Sequence, residues 1–201
     1  CPIGMPNFWD KWHCLQHNLS VIHKSIGVNF DIIVNCYSPH ADQKNFLKNH
    51  LATFSFIDNV FVHNRQGVLA NVFLSNPHNK LVKNYDYVYF TLDDVKIRNL
   101  DFNQSLKLLN EKGVSALTPK IEASTHPWFP QGIHVLNYTE IYCFFLKSKN
   151  FDHLMSCFSK TNPWFWGSDA ALGYNNFFPI VCSYYTCTHL FKGDGKGNTS
   201  R

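Results

Sequence analysis

The segment Tyr85 to Leu92 (YDYVYFTL) is aromatic and β-branched along its length, and it runs straight into Asp93-Asp94. A run of this kind reads as a buried strand. Two carboxylates at its end are costly unless they are solvated, paired or bound to a metal. A hard divalent cation such as Mg2+ or Mn2+ takes oxygen ligands and bridges to substrate phosphates. The plain alternative is a strand-end turn carrying two solvated acids. This one segment therefore demands a covered sheet and marks a polar rim on it.

The flanking sequence supplies the rest of such a sheet. Residues 7–25 read as a helix, with Trp9, Trp12, Leu15, Leu19 and Ile22 at three- and four-residue steps. Strands follow at Phe30 to Asn35 and Val60 to His63, with a helix over 41–52 between them. Residues 67–84 read as helical, interrupted at Asn76-Pro77. Beyond the acidic pair come an amphipathic helix over 102–112 and strands at Val114 to Ile121 and Tyr138 to Leu146. Helices at Phe151 to Phe158 and 169–176 precede a final strand, Ile180 to Leu190. The end, 192–201, is Gly-rich, basic and flexible in composition, which is compatible with a linker to a further domain. Strands alternating with helices predict an α/β, Rossmann-like single domain whose central sheet is mixed but mostly parallel and flanked by helices. Ligands in such sheets bind beyond the carboxyl ends of the strands. Three polar groups fall at those ends: Asn35 to Ser38, Asn64-Arg65 and Asp93-Asp94.

Composition narrows the classes. Apolar residues make up 45% and charged residues 16%, which excludes a disordered chain. The net charge of +4 is mild and dispersed, so no nucleic-acid footprint is expected. No apolar run reaches the roughly 18 residues of a membrane span. Seven cysteines, an odd number with no C-x-x-C pair, argue against a zinc ribbon or a disulfide scaffold. Free thiols and no visible signal peptide make a cytoplasmic location the expectation, or the host cytoplasm for a viral protein. The P-loop and nucleophile-elbow patterns do not occur.

The segment Tyr85 to Val95 resembles the acidic metal motif of GT-A fold glycosyltransferases, in which a strand ends in an Asp-x-Asp or Asp-Asp-Asp cluster. The resemblance aligns Asp94 with the Mn2+ or Mg2+ ligand and Asp93 with the middle position; Leu92 stands where the family carries a first acid. It continues in the family's order. Asp31 to Ser38 is similar to the second strand and its nucleotide-contacting end, and Val60 to Gly67 to the next strand and turn. Cys1-Pro2-Ile3-Gly4 is similar to the loop after a first strand, which would then be missing or begin just upstream of Cys1. Trp164 to Asp169 resembles the Trp-Gly-x-Asp/Glu segment near the acceptor site, and Tyr185 to Leu190 a late strand whose histidine completes the metal site. Within that family the small enzymes of large algal (chlorella) viruses are the most similar.

The resemblance implies a GT-A-like domain over 1–191, with a nucleotide-sugar-binding half at 1–95 and an acceptor half at 96–191. It implies that Asp94, His189 and Asp93 hold Mn2+ or Mg2+. The donor, a nucleotide-sugar and on family grounds a UDP-sugar, would meet Pro2, Ile3, Asn35, Cys36, Ser38, Asn64, Arg65, Asp93 and Lys192. Asp169 would be the general base, giving inversion at the sugar. Trp128, Trp166, Gly167 and Ser168 would receive a glycan or glycoprotein acceptor.

Each residue also has a plainer explanation. Asp169 beside Ser168 suits the start of a helix, where acids and short polar residues are favoured. His189 on an apolar strand is ordinarily a satisfied core histidine. Lys192 is ordinarily solvated, Asn64 and Arg65 form an ordinary polar turn, and tryptophans are more often core than sugar platforms. His13 and His17, four apart, read as a solvated helix face. Two rival functions stay open: a nucleotide-sugar or carbohydrate-binding module without turnover, and a metal-dependent phosphohydrolase.

Overall fold

The computed structural model describes residues 2–4, 7–66, 69–111, 114–122, 133–136, 143–158 and 168–190. Strand β1 (Pro2–Ile3) leads to helix α1 (Phe8–Ile26), strand β2 (Phe30–Cys36), helix α2 (Ala41–Leu51) and strand β3 (Ile57–Asn64). Helix α3 (Leu69–Leu74) and a 3-10 helix (Pro77–Asn84) follow, split at Asn76-Pro77 as the sequence predicts. Asn76 caps the second piece, its side chain accepting from the His78 N–H at 2.8 Å. Next come strands β4 (Tyr87–Thr91) and β5 (Val95–Leu100), helix α4 (Phe102–Asn110), and strands β6 (Ala116–Glu122), β7 (His134–Val135) and β8 (Cys143–Lys147). Helices α5 (Phe151–Ser156) and α6 (Ser168–Tyr174) precede strand β9 (Pro179–His189).

The described strands form two sheets. In the first, β1, β2 and β3 are all parallel, as βα alternation requires. The second has the order β4-β8-β6-β9-β5, with β7 on β9; β6 and β9 are parallel and the other pairs antiparallel. The parallel arrangement expected of the chain thus holds in its first half, and the second half adds antiparallel strands. Strand β5 has no counterpart in the sequence-based assignment.

Helix α1 is the part of the fold that positions the site. Its stripe of Phe8, Trp12, Leu15 and Leu19 is buried against Ile32, Val34, Leu47 and Leu51. Each such side chain contributes about 1.5–3 kcal/mol when fully buried. The helix stops at Gly27, whose left-handed φ of 69° and N–H bond to the His23 carbonyl close the last turn. Three polar residues share the buried stripe: Lys11, Cys14 and Asn18. Asn18 is 2% exposed and clamps β5, donating to the Val95 carbonyl at 2.7 Å and accepting from the Ile97 N–H at 2.8 Å. His17 reaches the Ile97 carbonyl at 2.8 Å through Nε2, so it faces β5 and not solvent. Asn18→Leu strands a buried N–H and a buried C=O, so it should cost about 2 kcal/mol in a denaturant titration. A loss under about 0.5 kcal/mol would mean the clamp carries no weight.

Cys14, Cys36, Cys143, Cys157 and Cys187 are free and buried. Among the described residues, no helix is long and apolar enough to cross a membrane.

Candidate functional site

The carboxyl ends of four strands converge. At the end of β1, Gly4 lies under the ring of Tyr37; a Cβ there would come within 2.6 Å of it, so only glycine fits. The Tyr37 N–H donates to the Ile3 carbonyl at 3.1 Å, and the Arg65 N–H to the Cys36 carbonyl at 3.0 Å. These bonds tie the ends of β1, β2 and β3 together. The fourth end is the Asp93-Asp94 turn between β4 and β5.

Asp93 faces inward. Its Oδ2 accepts from the Tyr37 phenol at 2.6 Å and lies 2.9 Å from the Lys11 ammonium. Lys11 also bonds the Tyr37 hydroxyl and sits over its ring. The Lys11 and Asp93 side chains are only 9% and 11% exposed. Burial pushes the Asp93 carboxyl above its ordinary range, while the Lys11 ammonium pulls it back. Burial and the neighbouring Asp93 likewise push the Tyr37 phenol up, so it stays a donor.

Asp94 faces His189. Strands β5 and β9 are antiparallel with Val95 opposite His189, so the residue before β5 meets the end of β9. The Leu190 N–H donates to the Asp94 carbonyl at 2.8 Å and fixes that junction. His189 Nε2 lies 2.9 Å from Asp94 Oδ2. The other carboxylate oxygen, Oδ1, is buried without a hydrogen-bond partner among the described residues. A buried acidic oxygen left unsatisfied beside an imidazole nitrogen is a donor set that fits a divalent cation. No group of three or more His, Cys, Asp or Glu side chains converges among the described residues. Mg2+-type centres accept that, since they keep waters and substrate phosphates as their remaining ligands.

The remaining expected donor contacts divide into covered and open positions. Asn35 is 2% exposed, and its carboxamide oxygen accepts from the Asn76 side chain at 2.7 Å. Cys36 is fully buried, and burial raises its thiol pKa. Ser38 is buried and accepts from the His40 N–H at 3.1 Å. Ile3 is buried and Pro2 pairs with Asn35. Asn64 and Arg65 are exposed at the end of β3. Ser168 and Asp169 open α6. Trp128, Trp164, Trp166, Gly167 and Lys192 lie outside the described residues.

Lys11 and Tyr37 belong to the site and were not anticipated from the sequence. The signal for Lys11 was present: it falls on the same three- and four-residue steps as Phe8, Trp12 and Leu15. A charged residue in a buried stripe needs a partner.

No family model matches the chain, and no curated protein matches it in sequence. Solved structures do match. A crystal structure of GalNAc-T7 with UDP, GalNAc and Mn2+ superposes with a TM-score of 0.63 over 99% of this chain, at 9% identity. The chain spans 45% of the length of that protein. A crystal structure of A197 from STIV superposes with a TM-score of 0.51 at 15% identity, covering 82% of this chain and 85% of that one. At these identities the likeness is one of fold, and the fold is GT-A-like.

Proposed function

We propose that the chain is a metal-dependent glycosyltransferase that moves a hexose from a UDP-sugar to an acceptor hydroxyl with inversion. The observation that carries this is Asp94. Its unsatisfied buried oxygen sits beside His189 at the meeting point of four strand ends, in a GT-A-like fold. The narrower likeness to the small enzymes of large algal viruses is part of the same proposal, as is a glycan or glycoprotein acceptor.

Asp94 and His189 are the residues that would hold Mn2+ or Mg2+, which when bound supplies Lewis-acid neutralisation of a departing nucleoside diphosphate. Asp93 does different work. Held by Lys11 and Tyr37, it fixes the turn so that Asp94 points at His189. Asn64 and Arg65, exposed at the end of β3, would meet the nucleotide, and Arg65 suits its phosphates. Asp169, in the first turn of α6, would take the proton of the acceptor hydroxyl as that oxygen attacks the sugar carbon and the diphosphate leaves.

Calorimetric titration with UDP and UDP-glucose, with and without Mn2+, tests the donor. Metal-dependent binding of either supports it; no binding with metal present, and none with GDP-sugars, overturns it. Asp169→Asn is expected to keep donor affinity and slow transfer on the order of a hundredfold. Full-rate transfer by this variant removes Asp169 as the base.

A further inference from the structure

His63, near the carboxyl end of β3, stands among basic side chains. It pairs with Asn35 of β2, and partners in a parallel ladder point to the same face of the sheet. Asn35 accepts from the Asn76 side chain at 2.7 Å, and the Asn76 oxygen accepts from the His78 N–H at 2.8 Å. The His78 ring packs on Phe61 with centroids 5.2 Å apart, and Phe61 shares the face of His63 two residues away. The start of the 3-10 helix Pro77–Asn84 is thereby fixed against the His63 face. Arg65 follows at the strand end, its N–H held by the Cys36 carbonyl at 3.0 Å. Lys44 acts on the same ring from α2.

Nothing balances this charge. His78, Arg65 and Lys44 are the ionisable groups that act on the His63 imidazole, and no carboxylate is among them. From β2 the ring has the neutral Asn35 beside it. Burial first, and then those three groups, hold the His63 pKa below its ordinary value, so at pH 7 the ring is mostly uncharged. Among the described residues, no ion pair or side-chain hydrogen bond ties down Lys44, Arg65 or the His78 ring. The His63 Nε2 is buried with no hydrogen-bond partner among the described residues. An orphaned nitrogen beneath uncompensated basic side chains is a focus for an anion.

We infer that this end of β3 is a phosphate-binding site separate from the metal centre, in which Lys44, Arg65 and His78 take the oxygens and His63 beneath them gains a proton as the anion binds. A phosphate offers three strong acceptor oxygens to donors arriving from α2, the strand end and the 3-10 helix. Its charge removes the repulsion that keeps the imidazole neutral. The site stands apart from Asp94. Helices α1 and α2 cover the sheet face that carries Val60 and Val62, and Lys11 of α1 holds the acidic turn, whereas His63 and His78 lie on the opposite face. Arg65 borders both sites. The phosphate is free orthophosphate or a monoester on a sugar, and the site requires nothing of the glycosyltransferase reading.

Calorimetry at fixed ionic strength, with sulfate, orthophosphate and glucose-6-phosphate as probes, tests this. Sulfate keeps its charge near neutral pH, so any pH dependence of its binding belongs to the protein. The occupied ring titrates higher than the free one, so sulfate affinity is lowest above the occupied pKa and rises as pH falls toward the free one. Each unit between the two is a factor of about ten, and a rise of at least about threefold from about pH 7.5 to about pH 5.5 is expected. His63→Gln should shrink that rise. Lys44→Gln should weaken binding at every pH by at least about threefold, and it keeps the test decisive if His63→Gln fails to fold. Tighter binding of glucose-6-phosphate than of orthophosphate makes a sugar monoester the occupant; the reverse order makes it the free ion. Sulfate binding that survives saturating UDP and Mn2+ supports a separate site. So does sulfate binding by a chain that ignores UDP, a result that counts only against the donor assignment. Displacement of sulfate by UDP, equal affinity in Lys44→Gln and the parent, or no binding of any probe overturns the inference.

Discussion

Asp94→Ala abolishes metal-dependent binding of a UDP-sugar donor and leaves the domain folded: that is the expected result of the largest functional perturbation. The substitution removes the unsatisfied Oδ1 and the partner of His189 in one step. Loss of an outer-sphere partner already weakens metal binding about 10–100-fold, so loss of a direct ligand from a site with two protein donors should exceed that range. The cost to stability is small. Among the described residues Asp94 makes one side-chain hydrogen bond, to a half-buried histidine, worth about 1 kcal/mol. Calorimetry with Mn2+ and UDP separates the two effects, with circular dichroism as the check on folding. Unchanged donor affinity in the presence of Mn2+ would remove Asp94 as the ligand.

The second large effect is on stability. Among the described residues, Lys11→Met leaves the buried Asp93 carboxylate with only the Tyr37 phenol as a hydrogen-bond partner. Removing one partner of a buried pair costs about 3–5 kcal/mol, because the survivor keeps its desolvation without its counter-charge. For a chain of this size each kcal/mol lowers Tm by about 2–4 °C, so a fall of about 6–20 °C is expected. The double variant Lys11→Met, Asp93→Asn carries no unpaired charge and should recover most of the loss. A double-mutant cycle in thermal denaturation measures the coupling directly. If Lys11→Met melts within a degree of the parent, the pair is not what holds the turn.

Much of this arrangement was legible because apolar runs ended in polar residues. Phe30 to Asn35 and Val60 to His63 lie within strands, Tyr87–Thr91 of the run Tyr85 to Leu92 forms β4, and the polar residues after them sit at one rim. The acidic pair was found for the same reason. What escaped was the other half of each interaction. The helix over 7–25 was recognised by its apolar residues alone, so Lys11 and Asn18 on the same stripe went unweighed. Their partners, Asp93 and β5, lie more than seventy residues away, a distance over which periodicity carries no information. Strand β5 escaped because its apolar/polar alternation runs only from Val95 to Arg98 and breaks at Asn99, where its register also shifts. Asn35 shows the opposite failure. Its type and strand-end position suit a ligand contact, but its carboxamide is spent on Asn76 inside the protein.

The junction of Asp94 with His189 also has a consequence for how the protein is made. His189 is 95 residues downstream of Asp94, and β9 joins β5, β6 and β7. A ribosome adding about 5–20 residues per second exposes the acidic turn several seconds before the histidine that meets it. Until β9 arrives, β5 has α1 but no strand neighbour among the described residues, and Asp94 lacks the His189 imidazole. A nascent or truncated chain that stops short of β9 can therefore bury its first sheet and still lack the Asp94–His189 pair, so that the metal-dependent donor binding proposed above would report the completed translation of this domain.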